Sequence, residues 1–98
     1  MSENIYLQKL RNQVLEILKD EKVKVVLFGS RARKDYADTS DVDIGIIPYG
    51  KINQDKITIF RERIEDMNIP YKIEVVNFSE VSEDFKKEAL KEVIIWKD

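Results

Sequence analysis

The chain of 98 residues contains no cysteine and no histidine. The first absence excludes disulfides and thiolate chemistry. The second removes imidazole acid–base catalysis and the commonest transition-metal ligand, so any metal must be held by oxygen. Glycine and proline are scarce, at three and two, and there is no low-complexity tract. With 43% hydrophobic residues the composition is that of an ordinary globular chain. No run approaches the roughly 18 apolar residues that would span a bilayer, and the opening MSENIYLQKL lacks the basic start and apolar core of a secretory signal. No membrane partner and a cytoplasmic location are therefore expected. A formal charge of -2 argues against a surface that grips nucleic acid, so no stable nucleic-acid partner is expected, although a local basic patch can still meet phosphate. One domain, residues 1–98, is expected, because two would each be too small to bury an adequate core.

What is present is a set of well-marked periodic segments. Leu7, Leu10, Val14 and Ile17 recur at steps of three and four and predict a helix over Ile5 to Leu18, with Ser2 as a candidate cap. VKVVLF, Val23 to Phe28, is short, β-branched and almost uninterrupted, as suits a strand covered on both faces, and Gly29 stops it. DVDIGIIP, Asp41 to Pro48, alternates at its start, with Asp41, Asp43 and Gly45 on one face and Val42, Ile44 and Ile46 on the other. Ile57, Phe60, Ile64 and Met67 predict a second helix from about Gln54 to Met67. YKIEVVNF, Tyr71 to Phe78, reads as a third strand, with Glu74 as its polar anomaly. Ser82 can cap a helix that runs through Lys91 and buries Phe85 and Leu90, and the tail VIIWKD is apolar enough to dock, with Trp96 as its anchor. The fold class predicted is α/β (α+β), a small mixed sheet of three to four strands with helices packed against it.

The chemistry concentrates between Gly29 and Asp43. Two aspartates separated by one strand residue project side by side, and their mutual repulsion needs a reason. A hard divalent cation supplies one, because carboxylate oxygens suit Mg²⁺, which is commonly shared between protein carboxylates and substrate phosphates. Glu74 joins them if the third strand lies beside the second with its carboxylate on that face. Gly29 lets the backbone approach a phosphate, and Ser30 supplies a hydroxyl where a short helix, SRARKDY, can begin. Arg31, Arg33 and Lys34 add positive charge, although a helix points Arg31 and Lys34 one way and Arg33 another. Each feature alone has an ordinary explanation: a turn after a strand, a solvent-facing strand end, a solvated charge run. Their combination points to phosphoryl or nucleotidyl transfer.

Gly29-Ser30, ten intervening residues, then Asp41, one residue and Asp43 resemble the signature of the DNA polymerase beta-like nucleotidyltransferases. The likeness covers nearly the whole chain and is nearest to the minimal nucleotidyltransferases, commonly partners of HEPN toxins in prokaryotic toxin–antitoxin pairs. The resemblance implies a polymerase beta-like core in which Gly29 and Ser30 bind the triphosphate of ATP, with Arg31 and Arg33 as further nucleotide-binding candidates. It also implies that Asp41, Asp43 and Glu74 are the catalytic and Mg²⁺-ligating carboxylates. The family usually carries Asp where this chain has Glu74, and often another Asp where it has Asn77. The activity implied is transfer of AMP to a hydroxyl, such as a tyrosine of a HEPN toxin, by an antitoxin. The competing expectation is a catalytically weak or inactive module that neutralises its partner by occlusion.

Overall fold

The computed structural model describes residues 4–33 and 40–98. The elements run α1 (Ile5–Ile17), β1 (Val23–Phe28), α2 (Ser30–Arg33), β2 (Val42–Pro48), α3 (Gln54–Glu65), β3 (Ile73–Asn77), a 3₁₀ turn (Phe78–Glu80), α4 (Glu83–Ala89) and β4 (Ile94–Lys97). The strands form one mixed sheet in the order β3-β2-β1-β4. β1 is antiparallel to both β2 and β4, while β2 and β3 are parallel and joined through α3. The predicted mixed sheet of three to four strands thus has four.

β1 is central and apolar on both sides because both sides are covered. Val23, Val25 and Leu27 meet the main core with Val42, Ile44 and Ile46 of β2, beneath Leu7, Leu10, Val14 and Leu18 of the first helical segment and Ile57 and Phe60 of α3. Val26 and Phe28 face the other way, onto Phe78, with Val76, Ala89, Leu90 and Val93 around them. Each fully buried aliphatic side chain of this kind contributes about 1.5–3 kcal/mol relative to exposure.

Local chemistry sets the ends of the helices. Asn4 accepts a hydrogen bond from the Tyr6 amide and caps α1, whereas Ser2 lies outside the described residues. The buried stripe of this helix continues to Leu18, the C-cap residue, while Ile17 is only partly buried. Asn53 caps α3, which ends at Glu65 and not at Met67; Asn68 then takes a left-handed φ of 53°. Ser82 accepts from the Phe85 amide at 3.1 Å and caps α4, as its sequence position predicts. α4 is shorter than expected, however, and Phe85 remains 43% exposed instead of buried. The tail docks as a strand on β1, which delivers Trp96 to the main core and leaves Ile94 and Ile95 outward. Among the described residues no helix is long and apolar enough to cross a membrane.

Candidate active site

Gly29 ends β1 with φ at +77°, a conformation glycine adopts without the penalty of a Cβ. A Cβ there would collide with Oδ2 of Asp43, so the turn and the carboxylate occupy adjoining space. The contact follows from register: Phe28 pairs with Asp43 across β1 and β2. On the other side of β2, Asp43 pairs with Glu74 of the parallel strand β3. Paired residues of neighbouring strands share a face, so Glu74 stands on the face of Asp43, and Asp41, two residues earlier, follows the same parity. Gly45 continues that face with no side chain, and the Phe78 ring packs over it where a Cβ would come within 3.0 Å.

The electrostatics are those of crowded anions. Asp43 is half-buried, and its carboxyl is raised above the ordinary range by that burial, then by the charges of Glu74 and Asp41, with Arg33 and Lys72 opposing in part. Asp41 and Glu74 are exposed. Among the described residues no three acidic side chains form a group able to hold a metal ion unaided. This row of carboxylates fits Mg²⁺ only with substrate oxygens completing the shell, which is how that ion commonly binds, through one or two carboxylates, waters and phosphates.

The basic residues divide. Ser30 opens α2 and is half-buried. Arg33 is exposed and close enough to Asp43 to influence its charge. Arg31 is 3% exposed, donates from Nε at 3.1 Å and from an Nη at 2.9 Å to the Ser40 carbonyl, and lies 4.3 Å from the Tyr71 ring centroid. Its guanidinium thus ties α2 to the residue preceding Asp41. Lys34 and the rest of the SRARKDY helix lie outside the described residues. Lys72, which the sequence reading passed over, sits two residues before Glu74 and therefore on the same strand parity, the one signal that could have marked it. Asn77 is buried on the opposite parity and accepts from the amide and hydroxyl of Ser79. It shapes the exit from β3.

A glycine turn set against paired strand carboxylates on an α+β core is the arrangement of a nucleotidyltransferase. The sequence matches the family described as Polymerase beta, Nucleotidyltransferase over residues 12–98 and belongs to it. It is 28% identical over 88 residues, 89% of each chain, to MJ0126 of Methanocaldococcus jannaschii, whose name proposes a protein adenylyltransferase. Among solved structures, a protein from Sulfolobus solfataricus proposed as a nucleotidyltransferase is 27% identical, with a TM-score of 0.53 over 93% of this chain and 79% of that one. A toxin-antitoxin crystal structure with AMP-PNP gives a TM-score of 0.64 over 88% of this chain and 71% of that one at 16% identity, a likeness of fold.

Proposed function

We propose that the protein is a Mg²⁺-dependent protein adenylyltransferase that transfers AMP from ATP to a hydroxyl of a partner toxin, such as a tyrosine of a HEPN-type protein, and so acts as its antitoxin. The observation that carries the reading is the row Gly29, Asp43, Glu74 across three adjacent elements, a side-chain-free turn set directly against two carboxylates. The names of the MJ0126 relative and of the toxin-antitoxin neighbour give the acceptor class and the nucleotide their direction.

In this reading the Gly29-Ser30 turn receives the β- and γ-phosphates, since Gly29 has no side chain to hold a phosphate off the backbone and Ser30 offers a hydroxyl donor. Asp41 and Asp43 would hold Mg²⁺, which when bound offsets charge on the triphosphate and polarises its oxygens. Glu74, on the opposite flank of Asp43 from Gly29, accepts the proton of the incoming hydroxyl. The hydroxyl oxygen bonds to the α-phosphorus, the bond from that phosphorus to the bridging oxygen breaks, and pyrophosphate departs in line on the Gly29 side. Arg33 is the basic side chain placed to meet the leaving charge. Arg31 keeps the strand that carries Asp41 and Asp43 attached to the turn.

Incubation with ATP, Mg²⁺ and the partner toxin should add the mass of one or more AMP groups to the toxin. Asp43→Asn should lower incorporation by at least about a hundredfold while the far-ultraviolet circular dichroism is retained. Full activity of this variant would remove Asp43 from the site.

A further inference from the structure

A cavity of about 560 Å³ opens beside the turn, lined by Phe28, Gly29 and Arg33 on one side and by Phe85, Ala89, Lys91 and the acidic Glu92 on the other. The size lies within the roughly 300–1,000 Å³ usual for small-molecule sites. A second cavity, of about 370 Å³, is lined by Lys9, Asn12, Gln13 and Met67 on the helical layer and touches none of the site residues. Only the first is continuous with Gly29.

Three aromatic rings meet under this cavity. Phe28 and Phe78 are buried, at 7% and 2% exposure, and pack edge to face with centroids 5.2 Å apart. Phe85 completes the cluster, 6.2 Å from Phe28 and 6.0 Å from Phe78, yet remains 43% exposed where it borders the cavity. At the rim, Lys91 and Glu88 form a 2.7 Å ion pair. A ligand that suits these walls has a flat apolar face, hydrogen-bonding edges, and an anionic end directed at Gly29 and Arg33. Resting on the nucleotidyltransferase reading above, we propose that the base and ribose of the donor nucleotide lodge in this cavity, with the base stacked on Phe85. Position on the sheet agrees: Glu74 on β3 and Phe28 on β1 flank Asp43 on β2, which leaves the β3 side to the acceptor and the β1 side to the donor.

The test compares Mg²⁺-ATP with Mg²⁺-tripolyphosphate, which has the anionic end and no nucleoside, by calorimetric titration of the intact protein. Phe85→Ala should weaken ATP by about tenfold or more, the usual scale for loss of one base-stacking ring, and leave tripolyphosphate within about twofold. In Phe85→Trp, ATP should quench the new indole and tripolyphosphate should not; the natural Trp96 lies in the main core on the other face of the sheet and serves as the silent background. Unchanged ATP affinity in Phe85→Ala with tripolyphosphate binding intact would overturn the cavity assignment alone, as would equal weakening of both ligands. Failure of the unaltered protein to bind either triphosphate would overturn the nucleotidyltransferase reading, and the cavity assignment with it.

Discussion

At the residue scale the site depends on one missing side chain. Gly29 combines a φ of +77° with the carboxylate of Asp43 where its Cβ would stand, so any L side chain meets both a backbone and a steric penalty. Gly29→Ala should cost about 1–2 kcal/mol from the left-handed backbone alone, or a melting temperature lower by about 4–8 °C or more, and should displace Asp43. The expected outcome is loss of AMP incorporation out of proportion to the fall in stability, measured by thermal melting and mass spectrometry on the same variant. Unaltered incorporation would show that the turn and the carboxylate act separately. The glycine that ends β1 and the alternation that sets Asp41 and Asp43 on one face were legible in the sequence because both are local signals. The burial of Arg31 was not legible, because local spacing records the sign of a charge and says nothing of burial: the Ser40 carbonyl and the Tyr71 ring that it meets are 9 and 40 positions away.

At the scale of elements, the periodic segments were legible and their ends less so. β1 was recognisable as a strand covered on both faces because six apolar or long side chains in a row leave no face for water. β4 was not foreseen as a strand, since VIIWKD has too few residues to show a period and its conformation is set by pairing with β1. Phe85 was assigned to the core because its spacing is that of a buried helical residue, yet α4 has seven residues and none is buried. The junction of α1 with α3 shows how a side chain can set an element's place. Glu21 accepts the Asn53 amide at 2.9 Å and pairs with Lys56 at 3.2 Å, which fastens the start of α3 to the turn before β1. The Asn53 amide first, then Lys56, hold the Glu21 carboxyl below its usual value. A carboxyl depressed in the folded state contributes stability that is present above its unfolded pKa and lost as pH falls through the folded value. Glu21→Gln should therefore lower the melting temperature at neutral pH, and the difference from the unaltered protein should shrink as the buffer is taken below the ordinary glutamate range. A difference that is constant with pH would assign the effect to packing instead of charge.

At the scale of the whole molecule, the sheet separates two tasks. One layer, α1 and α3 packed through Leu10 and Phe60 onto Ile44, forms the larger core, while the opposite face, with a smaller cluster of Val26, Phe28 and Phe78, carries the carboxylates, the aromatic cavity and the exposed Phe85. Side chains on the second face can thus be exchanged without opening the main core, which makes the chemistry separable from stability. Glu74 is the residue on which that separation turns. It is exposed on β3 and acts on Asp43 through charge. Glu74→Gln keeps the length of the side chain and removes its ability to take a proton, so AMP incorporation into the toxin should fall by about 10²–10⁴, the usual contribution of a positioned general base. The fold should be unaffected, with a melting temperature equal to or slightly above the original because a repulsion with Asp43 has been removed. Affinity for the toxin, measured separately by titration, should stay within a few-fold, and the toxin should remain active in the variant's presence. Unchanged incorporation would exclude Glu74 from the reaction. Neutralisation that persists after incorporation has vanished would mean that occlusion alone silences the partner, and that the carboxylate row serves nucleotide binding without transfer.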